Sequence, residues 1–179
     1  MKLELFSIPV YIDNIDCSKI KLKNVKFTKT WFSKTKSSHD YVNELDEESN
    51  KYLLNKIWDL ICCDFNGLFE IKIKNIWENR YKKFDYQETH NHPHAYFSFI
   101  VYKDIEESQT IFMNPGIDLI QSYYVDSLLD KMNVLKRSFK PSCRKNQMVV
   151  FPSFLQHMVL RHSNSVSIAG NITLKLKEN

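Results

Sequence analysis

Between Asp46 and Gly67 the apolar residues Leu53, Leu54, Ile57, Leu60 and Ile61 recur at intervals of three and four, whereas the flanking chain alternates apolar and polar positions in short runs. The first spacing lays an apolar stripe along a helix, and the second gives a strand one apolar face. Asp46, Glu47 and Glu48 stand where a helix N-terminus favours negative charge, and Asn66-Gly67 supplies a stop. The pattern predicts one long helix over residues 47–65. Leu3 to Ile12 reads as a strand with Pro9 near an edge, and Cys17 to Trp31 as a second, half-exposed strand. In the latter, lysines alternate with Ile, Leu, Val and Phe in KIKLKNVKF, which deters edge pairing.

After the helix the period of two returns. Leu68 to Tyr81 places Phe69, Ile71, Ile73 and Trp77 on one strand face, and Tyr96 to Lys103 is apolar without interruption, as in a strand buried on both sides. Gln109 to Met113 reads as a short strand closed by the turn Asn114-Pro115-Gly116. Residues 117–132 read as a short helix or a loop over a site. Val134 to Lys140, Met148 to Phe151, His157 to Arg161 and Ser165 to Lys175 complete the strands. Eight or more short strands with one early helix point to a mainly β fold, a double-stranded β-helix or jelly roll. No repeat or linker divides residues 1–179, so a single domain is expected.

Composition narrows the class. Hydrophobic residues at 43% and aromatics at 13% exclude a disordered chain. A formal charge of +4, from 25 basic and 21 acidic side chains, is too small and too interspersed to indicate nucleic acid. The four cysteines, Cys17, Cys62, Cys63 and Cys143, show no disulfide or zinc spacing and suit a reducing compartment. Glu4 and Ser7 interrupt MKLELFSIPVYI before it could act as a signal segment, and no run approaches the ~20 apolar residues of a membrane span. The expectation is a soluble cytoplasmic protein without a membrane partner, with its assembly left open between monomer and homodimer.

The chemistry concentrates in Gln87 to Tyr102, read as QETHNHPHAYFSFIVY. His90, His92 and His94 occupy alternate positions just before the apolar run, so in an extended strand neighbouring imidazoles share one side. Two of them can converge on one cation, and His157, after the apolar run MVVFPSFLQ, can supply a third ligand. An iron-type site follows from imidazoles with open positions, while a structural zinc is disfavoured by the missing Cys pairs. A solvated His-rich turn is the bland alternative. Glu88 shares the His90 and His92 face and competes as a carboxylate ligand, as does His94, although four same-face residues span about 20 Å and cannot all reach one ion. Trp31, Trp58 and Trp77 are read as packing residues.

Several of these pieces resemble one family. Trp77 with Asn79, the His-x-His-Pro segment at His90 to Pro93, Ser98 with Tyr102, Phe151 to His157 and the closing Ser167-Ile168-Ala169-Gly170-Asn171 look like the Fe(II)- and 2-oxoglutarate-dependent oxygenases of bacteria and phages, relatives of prolyl hydroxylases. The resemblance implies a jelly roll that binds Fe(II) and 2-oxoglutarate and uses O2 to hydroxylate an unidentified substrate. It also implies His90, His92 and His157 as metal ligands, where the wider superfamily has two histidines and a carboxylate. The resembling proteins carry an arginine at the place of Ser165 to grip the far carboxylate of 2-oxoglutarate. Serine offers only a neutral hydrogen bond there. Arg161, Lys103, Ser165, Ser167, Asn171 and Tyr102 are the candidates for that role. Two rival readings are a cupin-like metalloenzyme that does not use 2-oxoglutarate and a non-catalytic jelly-roll binding module.

Overall fold

In the computed structural model, which describes residues 7–29, 35–64, 69–116, 136–161 and 163–177, the helix α1 (Glu47–Ile61) starts on a hydrogen-bonded cap. The Asp46 carboxylate accepts from the Ser49 backbone N–H at 2.7 Å, which satisfies one of the donors that a helix start leaves open. Ser49, Leu53, Ile57 and Ile61 are buried at steps of four residues, so one stripe faces the core. A 3-10 turn, Cys62–Asp64, ends the segment, and Phe65 with Asn66-Gly67 lies outside the described residues.

Thirteen strands accompany the helix among the described residues. In chain order they are β1 (Tyr11–Asn14), β2 (Leu22–Lys23), β3 (Thr28–Lys29), β4 (Lys36–Ser37), β5 (Glu44–Leu45), β6 (Phe69–Tyr81) and β7 (Gln87–His90). There follow β8 (Phe97–Asp104), β9 (Thr110–Met113), β10 (Ser138–Phe139), β11 (Gln147–Pro152), β12 (His157–Val159) and β13 (Ser165–Leu176). A major sheet runs β1-β11-β8-β13-β6-β4-β3, a minor sheet β10-β9-β12-β7, and β2 pairs with β5. Every pair is antiparallel. Two facing sheets of this kind make the jelly roll that the strand count led us to expect.

The major sheet separates two cores. Ile76, Phe97, Phe99, Val101, Met148 and Ile168 pack against α1, whereas Trp77, Ile100, Tyr102, Val149, Phe151 and Ala169 face the minor sheet and meet Phe112. Alternation along each strand assigns these faces, so β8 is buried on both sides because it is central and covered twice. At Gly170 the strands come close enough that an added Cβ would stand 2.5 Å from Phe99 Cζ and 2.7 Å from the Asn75 carbonyl oxygen.

Some sequence readings are corrected here. Cys17 to Trp31 is not one strand: a 3-10 turn (Cys17–Lys19) and the two-residue strands β2 and β3 replace it. Asp16 caps that turn by accepting from the Ser18 N–H, and Asn24 breaks the alternation with a φ of 58°. Among the described residues of the Val134 to Lys140 run only Ser138–Phe139 is a strand, and the strand expected through Arg161 ends at Val159. Leu3, Trp31 and residues 117–132 lie outside the described residues. No described helix is long and apolar enough to cross a membrane.

Candidate metal centre and its pocket

Cross-strand register brings two of the histidines together. His90 ends β7 directly opposite His157, which opens β12, and their rings lie 4.3 Å apart. His92 joins them from the turn that follows β7, with ring centroids 5.1 Å from each. One ligand atom from each imidazole lies within 4.8 Å of the others. His92 arrives by tethering, not by the alternation assumed from the sequence. Its N–H donates to the Ser153 carbonyl at 3.0 Å, and the Ser153 N–H donates to Tyr96. The Ser153 hydroxyl meets that of Ser98 at 2.8 Å, and Ser98 donates to Asn171 Oδ1 at 2.8 Å. A buried polar cluster thus fixes the His92 turn to the major sheet.

Protonation and orientation both suit a metal. Burial holds His90 below its ordinary pKa, and burial followed by the charges of His90 and His39 brings His92 to about 3. Burial pushes His157 down further, helped by His90 and His92. The three rings are therefore neutral at pH 7, with lone pairs to offer. Nδ1 of His90 lies 2.7 Å from the Glu88 carbonyl and Nδ1 of His157 3.0 Å from the Leu155 carbonyl. As N–H donors to these oxygens, both rings turn Nε2 toward the centre, the arrangement that metal-bound histidines usually adopt. Phe151 and Phe112 pack on His157, while Trp77 stands between His39 and His92.

From the triad a pocket of about 540 Å³, counting its open mouth, runs between the sheets. Trp77, Ala169 and Ile100 form one rung of the major sheet beside His92. Asn79, Ser167 and Tyr102 form the next, about 7 Å along the strands. Tyr81 and Ser165 pair at the far end. All of these line the pocket, with Gln87 and Thr110 from the minor-sheet side. Burial keeps the Tyr81 and Tyr102 phenols well above their ordinary range, so both stay protonated.

The sequence candidates divide accordingly. Ser165, Ser167 and Tyr102 line the pocket, but Arg161, Lys103 and Asn171 do not. Arg161 is exposed beyond the end of β12, its guanidinium 5.7 Å from the centre of the Tyr86 ring. Lys103 follows Tyr102 on the same strand, so it projects to the opposite face, where it pairs with the buried Glu78 at 3.2 Å. Asn171 serves the Ser98 and Ser153 cluster. Glu88 and His94 are exposed and outside the triad. His94 has a φ of 66° and offers its carbonyl to Lys74. Sequence reasoning passed over Tyr81, Thr110 and Gln87, and read Trp77 as a packing residue that also belongs to the family motif.

The comparisons agree with this geometry. The family described as "Putative 2OG-Fe(II) oxygenase" matches residues 75–171, which spans β6 to β13 and includes all three histidines. Among curated proteins none matches the sequence. Among solved structures, a 2OG-Fe(II) oxygenase family oxidoreductase from Burkholderia pseudomallei is similar at TM-score 0.56 and 12% identity, over 83% of this chain and 72% of that one. HygX from Streptomyces hygroscopicus, solved with nickel, 2-oxoglutarate and hygromycin B, is similar at TM-score 0.53 and 9% identity, over 93% and 83% of the two chains. At such identities the likeness establishes the fold.

Proposed function

Because this chain belongs to the 2OG-Fe(II) oxygenase family, we propose that it is a non-haem dioxygenase whose ferrous iron is held by His90, His92 and His157. The reading rests on one observation above all: three neutral imidazoles, drawn from two strands and a tethered turn, place their ligand atoms within 4.8 Å of one another. When bound, iron and 2-oxoglutarate with O2 supply an oxidative decarboxylation coupled to hydroxylation of a second substrate.

The residues of the chain set the conditions for that chemistry. Three imidazoles contribute no charge, so the double positive charge of the ion is left to attract an anionic cosubstrate. Three protein ligands would also leave room on the ion for its cosubstrates. The Glu88 and Leu155 carbonyls hold two rings in the ligating orientation, and the Ser153 carbonyl holds the third on its turn. Trp77, Phe112 and Phe151 wall the triad and limit water around it.

Anaerobic titration with Fe(II) and then 2-oxoglutarate tests the assignment through the visible charge-transfer band of the chelate. The wild-type protein should give the band and His157→Ala should not. Iron binding without any band would return the protein to a metalloenzyme that does not use 2-oxoglutarate, and no iron binding would leave a jelly-roll binding module.

A further inference from the structure

Lysines that are interspersed in the sequence are gathered by the fold. β3, β4 and β6 are neighbours in the major sheet, and their register sets Lys29 opposite Lys36 and Lys36 opposite Arg80. Directly opposed residues of antiparallel strands share a face, so three cations stand in a row roughly 10 Å long. Arg80 lies between Asn79 and Tyr81, which line the histidine pocket, so the row occupies the other face of the sheet. Like charges set opposite one another destabilise a sheet. A lysine on the outermost described strand deters edge pairing, which accounts for Lys29 but not for Lys36 and Arg80 on the strands inside it.

The acids nearby do not cancel the row. Glu78 is buried and held between Arg80 Nε at 2.7 Å and Lys103 Nζ at 3.2 Å. Asp104 stands 3.8 Å from Lys145, and Asp85 accepts the Lys82 backbone N–H at 2.8 Å. Among the described residues, Lys29, Lys36 and Lys82 pair with no acid, and Arg80 engages Glu78 through Nε alone. Lys36, Arg80 and Lys82 line a groove of about 1090 Å³, counting its open side. Phe27 lines it too, with the Arg80 guanidinium 4.3 Å from its ring centre. On the turn that borders the groove, Phe84 is 63% exposed at a φ of 72°, a left-handed conformation uncommon for a bulky side chain. Asn164, on the groove wall, fixes that turn by accepting from the Lys83 N–H at 3.1 Å. The Lys83 ammonium stands 5.1 Å from the centre of the Phe84 ring.

We propose that this groove binds single-stranded nucleic acid, with Lys29, Lys36, Arg80 and Lys82 meeting neighbouring phosphates and the Phe84 ring stacking on a base. A row of cations without acidic partners, beside an exposed ring, complements a strand that carries its charge outside and offers a flat face at every base. An acidic peptide would meet the cations but give Phe84 nothing to stack on, and a duplex keeps its bases away from the ring. The groove stands on the opposite side of the major sheet from the histidine triad, so the proposal does not rest on the iron reading.

The test is fluorescence anisotropy of a labelled short oligothymidylate titrated with the full chain at several salt concentrations. Log affinity should fall against log salt with a slope of about −3, as ~0.7 per phosphate gives for four cations. Lys36→Ala should reduce the steepness of that slope by about 0.7. Phe84→Ala should weaken binding by about tenfold and keep the slope, because it removes stacking and no charge. Lys51→Ala, an exposed lysine on α1, should change neither. The urea unfolding midpoint of Lys36→Ala should be unchanged or raised, since the substitution relieves a like-charge row, so weaker binding by this variant is not lost folding. No binding of oligothymidylate at low salt, or binding that Lys36→Ala and Phe84→Ala leave unchanged, would overturn the proposal. Tighter binding of a labelled polyglutamate peptide, or of a duplex with no loss in Phe84→Ala, would overturn it in favour of those partners.

Discussion

Acidification of the metal-free protein should destabilise it well before its carboxylates titrate. An unfolded histidine has a pKa near 6.5, while folded His92 is held at about 3 by burial and by His90 and His39. Between these values the unfolded chain binds the extra proton, so stability falls as pH falls through 6.5 and continues to fall toward 3. From pH 7 to pH 5 the loss through His92 alone is about 2 kcal/mol. His90 and His157, depressed in the same direction, add to it. Asp16 and Asp46 are lowered carboxylates, whose contribution is lost only below about pH 4, so they do not confuse the window. Equilibrium urea unfolding in the presence of a chelator reads this as a midpoint lower by about 1 M at pH 5 than at pH 7. His92→Asn should remove most of its share of the difference. Equal midpoints at the two pH values would refute the burial argument for the triad.

Other expectations follow from particular contacts. Ni(II), which competes with protons for the same nitrogens, should raise the unfolding midpoint at pH 7 and much less at pH 5, as differential scanning fluorimetry would show. Asn171→Ala should lower Ni(II) affinity by about tenfold although Asn171 is not a ligand, because it frees Ser98 and Ser153 and loosens the His92 turn; calorimetric titration measures it. Glu88→Gln and His94→Ala should leave the same titration unchanged, since both side chains are exposed and outside the triad. Gly170→Ala should cost about 1–3 kcal/mol in urea unfolding through the collision with Phe99 and the Asn75 carbonyl.

The start and the buried face of the helix were readable because their signals were local: an acidic cap and a stripe at steps of four. The same holds for β8, whose apolar run, broken only by Ser98 before Lys103, reflects burial on both faces. The lysine-rich run after Cys17 misled because alternation says only that side chains take two sides, while Asn24 and the cap at Asp16 fold the backbone between them. His90 and His157 could be nominated from the sequence, but their juxtaposition depends on strand register. The route of His92 depends on a serine carbonyl distant in sequence. Lys103 shows a limit that elementary geometry could have removed, since side chains alternate along a strand and Tyr102, its neighbour, takes the pocket side while Lys103 pairs with Glu78. Asn79 was visible only as part of a motif. Its unmet hydrogen-bonding capacity emerges from three-dimensional surroundings that no spacing encodes.

The register between His90 and His157 also has a mechanical meaning. Among the described residues β7 is the outermost strand of the minor sheet and pairs there with β12 alone. An ion shared by these two residues would be a removable rivet at that border of the sheet, joining parts of the chain separated by β8, β9, β10 and β11. Closing so long a loop restrains this border far more than its few backbone hydrogen bonds can. Loss of the ion would therefore fray the protein from one side, with amide exchange rising first in β7 and the turn that carries His92 while the α1-backed face stays protected.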